Sequence, residues 1–378
     1  MRFATKALRV GQDPEPLHRS VIQPLYQSST FQWIDLDNIP CIDYSRCQNP
    51  NRQTLEGVIA ALENGKYASV VSSGMAAIMG AFSLLQKGDH LLMATDIYGG
   101  TFRLAEKLLP RYGIETTMFC AHDPSSILEH VRPDSKMLIF ETPANPNLRV
   151  CDIAAVTKVA KSAGLTVVFD NTFASPALQN PLDFGVDIVI HSTTKYINGH
   201  SDVIGGATIT NDEEIGNLIY EYIKMVGNNP SPYDCWLTLR GVKTLGCRMD
   251  AHCRNAMAVA EFLAAHPKVS RVHYPGLIEH PDHQTAKRQM RNGFGGMLAV
   301  DFETVELARK VAESLRVFLL AESLGGVESL VAYPPLMSHA TMTEAQRVER
   351  GIPPTLLRLS VGVEDPQDLI DDLEQALR

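Results

Sequence analysis

No stretch of the 378-residue sequence reaches the roughly 18 consecutive apolar residues that a membrane-crossing helix requires. The opening MRFATKALRVGQ also lacks the apolar centre of a secretory leader. Positive charge is in short supply: 34 Lys and Arg face 43 Asp and Glu, a formal charge of −9. A chain so acidic has no electrostatic attraction to nucleic acid or to an anionic membrane, and neither is expected as a partner. The seven cysteines, at positions 41, 47, 120, 151, 235, 247 and 253, form an odd set without a CxxC pair. They read as reduced, mostly buried thiols of a cytoplasmic protein rather than a disulfide framework. Neither a Walker A lysine motif nor a GxGxxG fingerprint occurs, which disfavours a Rossmann nucleotide binder. What is present, 45% hydrophobic and 20% charged residues, is the composition of a globular chain and excludes collagenous and disordered classes. The length predicts two or three domains.

Residues 1–50 read as an irregular arm, because Pro14, Pro16, Pro24, Pro40 and Pro50 recur between short extended pieces. A helix is expected over 54–63, with Leu55, Val58, Ile59 and Leu62 on one face and Asn64-Gly65 as its stop. Strand and helix then alternate. Strands are expected at 68–71, 90–94, 137–140, 166–169 and 187–190, and helices at 75–85, 98–112 and 153–163. Continuous apolar strands separated by helices predict an α/β fold with a mainly parallel sheet, residues 51–245. Beyond that the pattern changes: a helix at 249–265, a loop at 274–283, strands at 296–302 and 356–361, and helices at 305–314 and 368–377. Residues 246–378 are therefore expected to form a smaller C-terminal α+β domain. In open α/β sheets ligands bind beyond the carboxyl ends of the strands, so the polar residues following each strand are the ones to examine.

Lys195 follows the apolar run 187–190. A lysine just past a core strand is desolvated, which lowers its pKa and frees the amine as a nucleophile. Equally, such a lysine can simply snorkel from a strand end. Asp170 ends the strand before and opens a turn, as Asp commonly does. Together, however, a lysine and a carboxylate on successive strands are what pyridoxal phosphate needs. The amine holds its aldehyde and the carboxylate keeps its ring nitrogen protonated. Ser72-Ser73-Gly74-Met75 runs into an apolar helix whose first N–H groups form an anion site, or merely a capped helix start. Ser192 and Thr194 could add hydroxyls there. Tyr98 could stack on a flat ring or be a structural tyrosine. Arg358, on an alternating strand, could grip a carboxylate with two donors or form a structural ion pair. His273, His280 and His283 invite a zinc reading, but they lie in a Pro-rich loop with no cysteine nearby, and no metal is expected.

At this point the sequence resembles the pyridoxal-phosphate enzymes of cysteine and methionine metabolism, the cystathionine γ-synthase, γ-lyase and β-lyase family. The segment from Asp187 to Ser201 fits the family's lysine signature at each defined position. Also matching are Asp43-Tyr-Ser-Arg46 with Asn49-Pro50, Ser73-Gly74-Met75, Tyr98-Gly99-Gly100, Glu141-Thr-Pro-Ala-Asn-Pro146, Asp170-Asn-Thr-Phe173, Glu322-Ser-Leu-Gly-Gly326 and Leu357-Arg-Leu-Ser-Val-Gly362. The resemblance implies fold type I, the aminotransferase-like fold. It implies that Lys195 carries pyridoxal 5′-phosphate and shuttles the α-proton. Asp170 would pair with the ring nitrogen, and Tyr98 would stack on the ring and assist at the leaving group. Gly74, Met75, Ser192 and Thr194 would hold the phosphate. Tyr44 and Arg46 would reach the phosphate of a neighbouring subunit. Arg358 would bind the substrate carboxylate, with Asn145 and Ser323 near it and the cofactor. Family members are usually homotetramers, pairs of dimers.

For the reaction, Glu322 matches family members that act on cystathionine or its precursors by γ-chemistry, and Asp43 matches the synthases. The segments 276–289 and 293–297 look more like γ-lyases. The expected activity is cystathionine γ-lyase, with γ-synthase next and β-lyase or methionine γ-lyase behind. From a different class, a catalytically inactive pyridoxal-phosphate-binding regulator is disfavoured by the intact set Lys195, Asp170, Tyr98 and Arg358.

Overall fold

The apolar runs become strands because each is buried on both faces, and their side chains alternate between two separate cores. In the computed structural model, which describes residues 1–338, 340 and 343–378, seven strands form one sheet. They are β1 (Tyr67–Val71), β2 (His90–Ala94), β3 (Glu115–Phe119), β4 (Ser135–Glu141), β5 (Thr166–Asp170), β6 (Ile188–His191) and β7 (Gly206–Thr210). Their spatial order is β1-β7-β6-β5-β4-β2-β3. Strands β2 to β6 run parallel, whereas β7 runs antiparallel to both its neighbours, β1 and β6.

On one face, Leu92, Leu138, Phe140, Val167, Phe169 and Val189 pack against Leu55, Val58, Ile59 and Leu62 and the helix Ile153–Ser162. On the other, Leu91, Met93, Ile139, Val168, Ile188 and Ile190 pack against Ala77, Ile78, Ala81 and Phe82 and the helix Glu213–Val226. Each such side chain, fully buried, stabilises the fold by about 1.5–3 kcal/mol. A charge introduced at Val189, which is wholly buried, would break this layer.

The second sheet holds β8 (Val269–His273), β9 (Met297–Phe302), β10 (Leu319–Leu320), β11 (Leu330–Ala332) and β12 (Leu356–Ser360), in the order β10-β11-β12-β9-β8. It is antiparallel apart from the short β10–β11 pair. Leu298, Val300, Leu357 and Leu359 pack with Leu369 and Leu373 of the last helix. The helix Leu245–Ala265 serves both halves: Leu245, Met249 and Cys253 enter the large core, and Ala256, Val259, Ala260 and Leu263 the small one. The α/β class, the mainly parallel sheet and the smaller sheet domain are as the sequence predicts.

Several details differ. The N-terminal fifty residues are not wholly irregular: Phe3–Arg9 is helical, buries Ala7, and donates from Lys6 Nζ to the Ala61 carbonyl at 2.8 Å. The next helix starts at Pro50, not 54. Asn49 caps it by accepting from the Asn51 N–H, and Pro50 at the first turn lacks the donor that would go unpaired. The 98–112 helix stops at Lys107 and passes into a 3-10 turn, Leu109–Tyr112, at Pro110. Only Cys151, Cys235 and Cys253 are buried, whereas Cys41, Cys120 and Cys247 are exposed, so the thiols are not mostly internal.

Candidate active site

The strand ends carry the site. Glu141 and Asp170 are the last residues of β4 and β5 and stand side by side in register, with Asp170 beside Ile190 of β6. A buried network braces these ends from behind. Glu63 accepts from His191 Nε2 at 2.5 Å, Asn171 Nδ2 at 2.6 Å and Asn180 Nδ2 at 2.9 Å. Gln179 Nε2 adds a bond to the Thr142 carbonyl at 2.8 Å. The helix Gly74–Phe82 aims its first turn at the same place, capped by Ser73 Oγ, which accepts from the Ala76 N–H at 3.1 Å. Only glycine fits at 74, since a Cβ there would lie 2.9 Å from the Cβ of Ser192.

A cavity of about 380 Å³ opens over these ends. Gly74, Met75, Tyr98, Asn145, Asp170, Ser192, Thr194, Lys195, Glu322, Ser323 and Arg358 all line it, so eleven positions scattered over the sequence converge. Asp43, Tyr44 and Arg46 do not line it. Arg46 instead donates to the Lys224 carbonyl at 2.5 Å and lies 5.6 Å from the ring centroid of the exposed Tyr44. Within this protomer the arm holds them away from the cavity.

Electrostatics separate the roles of the lining groups. Burial first and Arg358 second, opposed by Glu322, lower the Lys195 pKa to about 8. The amine donates to Ser323 Oγ at 2.8 Å. Burial pushes the Asp170 carboxyl up, and Thr172 pulls it back through its hydroxyl at 2.5 Å and its N–H at 3.0 Å. Glu141 is held well above the usual carboxylate range, by burial first and by Asp170 second. It accepts from the N–H groups of Tyr98 at 3.0 Å and Asn145 at 3.3 Å. Two neighbouring carboxyls favour one charge rather than two, and these shifts leave that charge to Asp170. Arg358 is buried, with its pKa lowered by burial to about 10. It donates to Asn145 Oδ1 at 3.1 Å and the Ser323 carbonyl at 2.9 Å. Its Nε is buried and has no partner among the described residues.

The structure adds lining residues to which the sequence assigned no role: Arg103, Glu141, Thr172, Phe173, Ile204, Met337 and Ser338. Thr172 was detectable, because Asp-Asn-Thr after a strand is a turn in which a hydroxyl returns to the carboxylate. Met337 and Ser338 had no such signal, as they arrive from a distant loop. The three histidines are engaged separately. His273 donates to Asp301 at 2.7 Å and His283 Nδ1 meets the Pro275 carbonyl at 2.8 Å. Burial lowers His280 to about 4.

The family model described as Cys/Met metabolism PLP-dependent enzyme matches residues 4–378. The chain is 47% identical over 380 residues to cystathionine gamma-synthase of Mycobacterium tuberculosis, covering 99% of this chain and 96% of that protein. It is 46% identical over 359 residues to cystathionine beta-lyase MetC of Bacillus subtilis, covering 95% and 92%. The crystal structure of cystathionine gamma-lyase from Lactobacillus plantarum complexed with L-serine is 41% identical, with a TM-score of 0.96, covering 100% of this chain and 98% of that one.

Proposed function

Because the chain belongs to the family of Cys/Met metabolism PLP-dependent enzymes, we propose that it cleaves cystathionine at its γ-carbon, releasing cysteine, 2-oxobutanoate and ammonia. It is an enzyme, and its cofactor is pyridoxal 5′-phosphate. The lining residues fit that group. Gly74 leaves the helix start open to a phosphate, with the hydroxyls of Ser192 and Thr194 beside it. Asp170 suits the ring nitrogen, Tyr98 the ring face and Lys195 the aldehyde. Bound there, the cofactor accepts the electron pair left when a proton leaves the α-carbon of the amino acid.

The remaining work falls to side chains. Arg358 takes the α-carboxylate with its unpaired Nε, while Asn145 holds the guanidinium in place. Lys195, with a pKa near 8, has a proton-free fraction at neutral pH and removes the α-proton. Tyr98 stands by the leaving sulfur as proton donor. One observation supports cystathionine as the ligand: once Arg358, Lys195, Asp170 and Glu141 are set aside, the charged groups left in the cavity lining are one acid, Glu322, and one base, Arg103. This pair complements the ammonium and carboxylate of a distal cysteine half, whether that half leaves cystathionine or is joined to an acylhomoserine.

The 47% identity to cystathionine gamma-synthase of Mycobacterium tuberculosis supports a second reading, in which the same cavity makes cystathionine from an acylhomoserine and cysteine. Assays of the purified protein with each substrate set separate the two. Turnover of the second set alone would replace the lyase reading with the synthase one.

The active unit we propose is a homotetramer of paired dimers, with Tyr44 and Arg46 completing a neighbour's phosphate site. Its support is apolar exposure: Leu17, Val21, Ile34, Leu36 and Ile39 on the arm are all at least 75% exposed in one protomer.

A further inference from the structure

Arg248 is buried, and no carboxylate among the described residues compensates its charge. Burial lowers its pKa to about 10. It also sits in the first turn of the helix Leu245–Ala265, where the helix dipole disfavours a cation. A residue that breaks two local preferences is expected to be compensated elsewhere. Here the compensation comes from neutral oxygens. Nη1 donates to the Tyr196 carbonyl at 2.7 Å, and Nη2 to the carbonyls of Ile197 at 3.2 Å and Gly241 at 2.9 Å. Nε donates to Thr244 Oγ1 at 3.1 Å.

Tyr196 and Ile197 directly follow Lys195. The lysine lies in a tight turn closed by the Asn198 N–H on the Thr193 carbonyl at 2.9 Å and the Gly199 N–H on the Lys195 carbonyl at 2.8 Å. The next carbonyls, of 196 and 197, would be left open, as at the end of any helical turn. The guanidinium takes both and ties them to Gly241. Residue 199 must be glycine, with φ +72°, because a Cβ there would lie 2.0 Å from Nη1.

We propose that Arg248 is the positioning residue for the Lys195 amine, capping the lysine turn with a planar cation so that the amine is presented to the cofactor's aldehyde in one orientation. The inference rests on the reading of Lys195 as the cofactor-bearing residue. Lysine at 248 keeps the charge but not the fork, and cannot hold three carbonyls in one plane.

The test uses the full chain stripped of cofactor, with two probes. Pyridoxal 5′-phosphate needs both the phosphate cradle and the lysine, whereas pyridoxine 5′-phosphate, an alcohol, needs the cradle alone. In Arg248→Lys, affinity for the aldehyde should fall about tenfold, with loss of visible absorbance, while affinity for the alcohol stays within about twofold. Equal weakening of both probes, or of neither, overturns the proposal. If Arg248→Lys fails to melt cooperatively, Thr244→Val carries the same comparison with the same two outcomes. A wild type that takes up only the alcohol would overturn the reading of Lys195 itself, a result distinct from a wild-type-like Arg248→Lys.

Discussion

Lys195 and Ser323 come from different halves of the chain, and their side chains meet at 2.8 Å, with the serine held at φ +94°. Few residues other than glycine adopt that conformation, so the surroundings must impose it. Here the Ser323 carbonyl accepts from Arg358 at 2.9 Å, which ties the serine to the proposed carboxylate site. The amine so held has a pKa of about 8. Capture of pyridoxal 5′-phosphate by the cofactor-free protein should therefore quicken about tenfold between pH 7 and 9, as the proton-free fraction rises. Stopped-flow absorbance measures this, and a flat profile would contradict it.

Thr172 is the group that keeps Asp170 usable as an anion. Burial raises the carboxyl pKa, and the Thr172 hydroxyl at 2.5 Å counters it. Removing that hydroxyl in Thr172→Val should raise the Asp170 pKa. The acid limb of the kcat/KM profile should move to higher pH by the same amount. An unmoved acid limb argues that Asp170 is not the group being titrated.

Arg358→Lys should leave the visible spectrum of the bound cofactor intact and lower kcat/KM by about a hundredfold, chiefly through KM. The planar fork matches a carboxylate with two donors, and one ammonium cannot. Steady-state kinetics with saturating cofactor read this split. A loss confined to kcat would place Arg358 elsewhere in the reaction.

His252 makes stability depend on pH. Its ring is fully buried, shares a bond with the Val361 carbonyl at 2.7 Å, and leaves Nε2 without a partner among the described residues. Burial is the main reason its pKa falls from 6.5 to about 4, against the opposing Val361 bond. The folded state thus resists a proton that the unfolded chain accepts below pH 6.5. Stability is full above that pH and is lost towards pH 4, by about 3 kcal/mol. Urea unfolding at pH 7 and 4.5 should show a loss smaller by about 2–3 kcal/mol in His252→Asn than in wild type, with His280, lowered in the same way, contributing to both.

Subunit mixing tests the arm. Lys195→Ala and Arg46→Ala should each be inactive alone. After joint refolding, half the dimers are hybrids, each with one site that has both Lys195 and a neighbour's intact Arg46. About a quarter of wild-type activity should return. No recovery would mean that Arg46 serves its own subunit or none.

Much of this site was legible because its parts stand where an apolar run turns polar. Asp170 and Lys195 follow buried strands, and Arg358 is the polar member of an alternating one. Ser323 was accessible only through the family resemblance, since its geometry rests on an unusual φ that no neighbouring residue announces. Arg248 reads as an ordinary helical arginine until the helix is folded against the lysine turn. Strands β3 and β7 escaped detection because Glu115-Thr-Thr-Met-Phe119 and Gly206-Ala-Thr-Ile-Thr210 are rich in threonine rather than Val, Ile or Leu. β7 is buried by its neighbours rather than by its own composition, whereas β3 is an edge strand, mostly half-buried. The Phe3–Arg9 helix was hidden by the prolines beyond it, although it precedes them all.

The placement of β7 sets an order of events during synthesis. Among the described residues β1 pairs only with β7, Tyr67 opposite Thr210, and β7 alone joins it to β6. The first strand to leave the ribosome therefore has no partner until residue 206 and beyond have followed it. Until then β1 and β6 both present open edges to other nascent chains. A ribosome paused before that point holds a chain whose β6, the strand leading to Lys195, still has one unpaired edge.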